Sequence, residues 1–120
     1  MFIAVALGAF GAHALRGRLD PEMTGVWQTA VQCQAWHALA LLSAGILLLH
    51  WPESRGLAAA AWLFAAGIVL FSGSLYALAF TGLRMLGIVT PIGGVAFLAG
   101  WAVFAWTVLA QRRLTGRRSR

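Results

Sequence analysis

The sequence predicts an all-α membrane protein, an antiparallel four-helix transmembrane bundle. Two apolar runs, Leu57–Leu83 and Leu86–Ala110, contain no charged residue, and the one charge in the turn that separates them is that of Arg84. Each run exceeds the roughly 20 residues needed to cross the hydrocarbon core of a bilayer, and Val31–Leu49 is a third run of adequate length. Because lipid offers the peptide groups no hydrogen-bond partners, each of these spans must be helical. A composition of 61% hydrophobic and 10% charged residues agrees with this class.

The first helix is expected over residues 2–16. Its apolar run, Phe2–Leu15, would measure only about 21 Å as a helix, which is short for a full crossing. A signal peptide is not indicated, because no basic segment precedes the run and Gly8 and Gly11 interrupt it. We therefore expect the helix to begin upstream of Met1. Local thinning of the bilayer around a short helix is the alternative.

The second helix is expected over residues 21–50. Asp20 is a favourable N-cap, and Pro21 suits the first helical position, where its missing N–H costs nothing. Pro52 should end the helix, because the residue before a proline avoids the helical conformation. Trp27 is expected close to the membrane interface, where amphipathic aromatic rings concentrate.

The third and fourth helices are expected over residues 57–81 and 85–110, so that residues 1–110 form one four-helix domain. A short turn joins these two helices and should make them pack antiparallel. Pro91 is expected to bend the fourth helix by freeing a carbonyl, which Thr90 is placed to satisfy.

The charge distribution predicts the topology. The formal net charge is +6, and a basic tail over residues 111–120 carries five of the nine arginines. Cationic residues near the end of a span favour the cytoplasmic side. We therefore expect both termini in the cytoplasm of a bacterial inner (plasma) membrane, with the loop 16–25 outside. The tail contacts anionic head groups in this interpretation, and no nucleic-acid partner is expected.

Small residues recur within the spans and predict close helix packing. Apolar side chains gain little by leaving lipid for one another, so transmembrane helices associate through close backbone approach and interhelical hydrogen bonds. The residues expected to serve this packing are Gly8, Gly11, Ala12, Ser72, Gly73, Gly93 and Gly94.

Two histidines are predicted at membrane depth, where ionisable groups are costly. His13 and His37 are expected at similar depth on neighbouring helices, as neutral side chains that hydrogen-bond within the bundle. The alternative is a haem, quinone or metal held between the first two helices, with both imidazoles as ligands. No cofactor is expected on the favoured interpretation, and haem is the principal alternative.

Four short motifs, taken in order, resemble a known family. They are Gly8–His13, Gln34–His37, Phe71–Tyr76 and Thr90–Gly94. The family is domain-of-unknown-function family 423, of YgdD-like small inner-membrane proteins with relatives in eukaryotic mitochondria. The resemblance covers about residues 2–110 and implies a multi-pass protein of four helices. It implies no activity, substrate or catalytic residue.

Three classes of function follow from these observations. The favoured one is a structural or interaction subunit that binds lipid or a membrane partner, such as another protein or further copies of itself. The second is the cofactor site described above. The third is an oligomeric small-solute transporter or channel, in which Pro91 and the following glycines would form a broken helix. An enzyme is not expected, because the acids Asp20, Glu22 and Glu53 all lie in the loops or, for Glu22, at the first turn of a helix, outside the apolar runs.

Overall fold

In a computed structural model, residues 1–118 of the chain are described, with side chains up to Gln111. The fold contains four helices: α1 (Phe2–His13), α2 (Pro21–His50), α3 (Arg55–Thr81) and α4 (Thr90–Arg118). The described residues contain no strand, so the predicted all-α class is confirmed. By length and composition, α2, α3 and the segment Arg84–Gln111 could each cross a membrane.

The ends of α1 and α2 are set by local chemistry. α1 ends at His13, earlier than predicted, because the chain turns at Gly17 (φ 75°) and buries Leu15 against α2. α2 begins at Pro21, where the Asp20 carboxylate accepts a hydrogen bond from the Met23 N–H at 2.7 Å. The cap and the proline together fix where α2 enters the bundle.

α3 changes its winding midway. Its α-helical parts, Arg55–Gly67 and Gly73–Thr81, are joined by the π-helical turn Ile68–Ser72. Ser54 caps its start by accepting a hydrogen bond from the Leu57 N–H at 3.4 Å.

The start of α4 differs from the prediction. A 3₁₀ turn, Arg84–Ile88, precedes the helix, which begins at Thr90. Pro91 therefore lies in the first turn, where a proline is tolerated, and the bend expected there does not follow. The Thr90 hydroxyl bonds to the Ser74 hydroxyl of α3 at 2.8 Å rather than serving a freed carbonyl.

α3 and α4 share the most extensive contact. Gly56 at the start of α3 faces Thr107, and Phe71 further along it faces Gly93. Residue numbers thus rise along one helix as they fall along the other, so these two helices run antiparallel.

α2 lies between α1 and α3, and α1 packs mainly on α2. Gly8 faces Val31, and Gly11 faces Trp27. Residue numbers therefore rise along α1 as they fall along α2, so these two helices also run antiparallel. Trp27 is 6% exposed and packs in the core with Leu15. Its expected position near the membrane interface stays a prediction.

Candidate functional site: a pocket between α1 and α2

A cavity of about 490 Å³ lies between α1, the loop that follows it, and the first half of α2. We refer to it as the α1–α2 pocket. Its volume falls within the range typical of small-molecule sites. The cavity exists because the facing surface of α1 carries Gly8, Gly11 and Ala12, which offer no side chain large enough to fill it.

The apolar wall of the pocket is formed by α2, through Trp27 and Val31. The Trp27 indole is held in place by its N–H, which donates to the Leu7 carbonyl at 3.0 Å. Its ring also packs edge-on against Tyr76 of α3, with centroids 4.8 Å apart. This wall is therefore anchored to both neighbouring helices.

The polar side of the pocket is a stripe of three α2 residues, Thr24, Gln28 and Gln32. Their spacing of four places them on one face of the helix. The amides of Gln28 and Gln32 are exposed and form no hydrogen bond with the described residues. Gln32 lies 11 residues beyond Pro21, or about 16 Å along the axis. Gln32 is the second residue of the apolar run Val31–Leu49 and Gln28 precedes that run, so an unpaired amide at this end of the span needs water or a ligand as its partner.

The mouth of the pocket carries a positive charge. Arg16, Gly17 and Leu19 of the loop line it. The Arg16 side chain has no ion pair or hydrogen bond with the described residues. The nearest acid in sequence on the α2 side, Asp20, uses its carboxylate to cap α2.

The two histidines expected to share a depth do not. Extending the contacts of Gly8 with Val31 and of Gly11 with Trp27 places His13 level with about Gly25. His37 lies 12 residues further along α2, or about 18 Å away in depth. Neither histidine lines the α1–α2 pocket.

The difference arises because depth depends on the register between the two helices, which sequence spacing from the loop does not specify. The bis-histidine arrangement is therefore not formed. His13 and His37 cannot together ligate a haem, quinone or metal between these helices. The oligomeric transporter stays a prediction that the structure does not test. Within the described part of the chain, no group of three or more His, Cys, Asp and Glu residues is placed to hold a metal ion.

His37 instead joins α2 to α4. Its Nδ1 lies 2.7 Å from the Cys33 carbonyl, and its Nε2 accepts a hydrogen bond from the Trp101 indole N–H at 3.1 Å. The ring stacks on Phe97 with centroids 3.4 Å apart. Because the indole can only donate, Nε2 carries no proton, and the imidazole is the neutral Nδ1–H form. His13 is exposed at the end of α1.

The residues expected to pack helices divide into two groups. Gly8, Gly11 and Gly93 face a neighbouring helix, and Gly94 lies in ordinary contact with Phe71. Ser72 is buried, with a hydroxyl that has no partner among the described residues. The other two do not pack helices: Ala12 is exposed in the pocket, and a side chain at Gly73 would meet nothing within 4 Å.

Three further glycines also pack helices: the sequence marks Gly67 and Gly100 as small residues within the spans, whereas Gly56 is expected in the turn before α3. A side chain from the opposite helix occupies the space beside each of Gly56, Gly67 and Gly100. A glycine within an apolar run is the signal for Gly67 and Gly100, whereas Gly56 lies just before the run that begins at Leu57. The sequence does not tell which face of the helix each glycine occupies.

One interhelical hydrogen bond was also missed. The Tyr76 hydroxyl of α3 donates to the Gln34 side-chain oxygen of α2 at 2.6 Å, and Gln34 is 8% exposed. Both residues stand out in the sequence as polar groups at membrane depth. Their pairing depends on the packing of α2 on α3.

Similarity to known proteins identifies the family of this chain. The family model described as "Protein of unknown function (DUF423)" matches residues 7–94. The chain belongs to the DUF423 family. This confirms the family expected from the four motifs, and the chain is a multi-pass membrane protein.

Curated relatives of this DUF423 protein carry names without an activity. The UPF0382 membrane protein YwdK of Bacillus subtilis is 48% identical over 99 residues, covering 82% of this chain and 80% of the relative. The UPF0382 inner membrane protein YgdD of Escherichia coli is 47% identical over 109 residues, covering 85% and 77%. No solved structure matches the chain significantly.

Proposed function

We propose that this DUF423 protein is a non-catalytic interaction subunit of the bacterial inner membrane that binds an amphiphilic lipid in the α1–α2 pocket. The observation that carries the proposal is the pair of amides, Gln28 and Gln32, which line the pocket and have no hydrogen-bond partner in the part of the chain that the structure describes. A lipid with polar groups near its head would satisfy these amides and displace water from the apolar wall beside them.

The shape and lining of the pocket favour an amphiphile over a fully polar solute. Trp27 and Val31 form one apolar side, and the exposed Ala12 leaves room for a lipid chain beside α1. A ligand with a polar head and an apolar body matches both surfaces, because its polar groups would contact the amides and its apolar body would contact the apolar wall.

Both termini lie in the cytoplasm in this proposal, so the mouth of the pocket opens toward the outer leaflet. The arginine-rich C-terminus supports this orientation. Ser119→Cys in a Cys33→Ala background should resist a membrane-impermeant thiol reagent in intact cells and react after lysis. Labelling in intact cells would reverse the topology.

Lipid binding can be tested by thermal unfolding of the delipidated protein in detergent. Titrated phospholipid should raise the melting temperature in a saturable way, because a ligand that binds only the folded state stabilises it. Ala12→Phe should abolish the rise by filling the pocket. Ala9→Phe is the matched control, since Ala9 is exposed on the same helix outside the pocket. Equal shifts for both variants, or none for the wild type, would contradict the proposal.

A further inference from the structure

We infer that the α1–α2 pocket selects a lipid whose head group carries a net negative charge on phosphate, and that Arg16 provides this selectivity. The inference rests on the proposed lipid-binding function and names the class of ligand. Three features of the pocket support it. The mouth carries a cation without a partner among the described residues, the lining contains no carboxylate, and a row of polar side chains extends along α2 from the mouth inward.

The cation is suited to a phosphate. Arg16 lines the mouth and has no ion pair or hydrogen bond within the described residues. A guanidinium presents planar, fixed donors that match two phosphate oxygens at once, and it is always charged. Arg18, two residues later, does not line the pocket, so the two arginines differ in position but not in chemistry.

The acids of the same loop do not cancel this charge. The Asp20 carboxylate accepts a hydrogen bond from the Met23 N–H at the start of α2. Glu22 follows it in the first turn, and neither acid lines the pocket. The charged lining is therefore positive, and an anion would gain from it without displacing a partner.

The polar stripe extends inward from the mouth. Thr24, Gln28 and Gln32 lie about 6 Å apart in succession along α2. The Thr24 hydroxyl already donates to the Asp20 carbonyl, whereas neither glutamine amide has a partner among residues 1–111. A phosphate at Arg16 would place the glycerol and ester oxygens of a phospholipid beside these amides. A free phosphate would leave them unsatisfied, so we commit to the lipid.

Native mass spectrometry of the full chain in detergent tests the inference. The probes are phosphatidylglycerol, which has net negative charge, and phosphatidylcholine, which has none. Both lipids carry the phosphate that Arg16 would contact, and they differ in the quaternary ammonium of phosphatidylcholine, which the positive mouth of the pocket repels. We therefore expect wild-type protein to bind phosphatidylglycerol about tenfold more tightly. Arg16→Gln should remove this preference, whereas the control Arg18→Gln should change it less than twofold.

The outcomes separate this inference from the function on which it rests. If both lipids bind equally to the wild type and Ala12→Phe abolishes both, the pocket binds lipid and the charge selectivity is wrong. If Arg18→Gln and Arg16→Gln have equal effects, the selectivity is a general surface attraction and the inference fails. Competition by millimolar inorganic phosphate would assign the site to the free anion and overturn the lipid. No binding of either lipid would overturn the proposed function itself.

Discussion

Glycines lie on both helices of the α3–α4 contact, and aromatic rings of the opposite helix fill the space beside them. Phe97 of α4 lies over Gly67, and Phe64 of α3 lies against Gly100. On α1, Gly8 and Gly11 also face a neighbouring helix, yet the region around them opens into a cavity of about 490 Å³.

The difference lies in what faces the small residues. In the α3–α4 contact, Phe64 of α3 is fully buried, and the rings of Trp101 and Phe104 of α4 pack against it. In the α1–α2 contact, the facing stripe ends in polar side chains, Gln28 and Gln32, that do not pack into the space. Small residues therefore permit close approach, and their neighbours decide whether the space becomes packing or a pocket.

The largest effect is expected at Gly93. A Cβ at this position would lie 2.8 Å from the Cα of Phe71 and would also collide with its backbone nitrogen. Because backbone cannot rotate aside, Gly93→Ala should destabilise the fold by about 3 kcal/mol, at the upper end for overpacking. Unfolding in detergent provides the measurement.

The matched control is Gly73→Ala, where an added Cβ meets nothing within 4 Å. This variant should be as stable as the wild type or more so, since alanine favours the helix by about 0.5–1 kcal/mol. Equal destabilisation of both variants would show that α3 and α4 are not in the close contact described.

A smaller loss is expected for Gly11→Leu. The added side chain would collide with the Trp27 indole, which is a side chain and can yield further than backbone can. We expect a cost of about 2 kcal/mol, together with disruption of the indole bond to the Leu7 carbonyl. Gly45→Leu, at an open position on α2, should have no such effect. Unchanged thermal stability of Gly11→Leu would argue that α1 does not rest on Trp27.

The smallest of these effects is expected for Tyr76→Phe. It removes the hydroxyl that donates to the buried Gln34 oxygen and should cost about 1 kcal/mol. A double-mutant cycle with Gln34→Leu would isolate the pair, because the double variant should lose less than the sum of the single losses. Purely additive losses would mean that the two groups do not interact.

Helix ends that are set by local chemistry could be predicted from the sequence, whereas those that depend on tertiary contacts could not. The start of α2 at Pro21 was predictable, because the Asp20 cap and the proline act within one turn. The beginning of α4 was not, because an apolar 3₁₀ turn before Thr90 has the same hydropathy as a helix. Helix existence follows from composition, whereas winding within an apolar run does not.

The candidate site depended more heavily on tertiary structure. The residues near Gly11 were recognised as a place of close approach, but the pocket beside them arises only from the register of α1 on α2. The same register separates His13 from His37. The sequence shows Gln32 only as a polar residue at the start of the run Val31–Leu49, and the structure is needed to show that its amide has no partner among the described residues.

The central claim is that a lipid head group occupies the α1–α2 pocket. Photocrosslinking in nanodiscs with a phosphatidylglycerol that carries a diazirine near its glycerol tests this most directly. We predict that the lipid crosslinks to α2 within residues 24–32 and to α1 near Ala12. Excess unlabelled phosphatidylglycerol should reduce this crosslinking, and Ala12→Phe should remove it. Competable crosslinks on α3 or α4, or labelling of the pocket that unlabelled lipid does not reduce, would contradict the account.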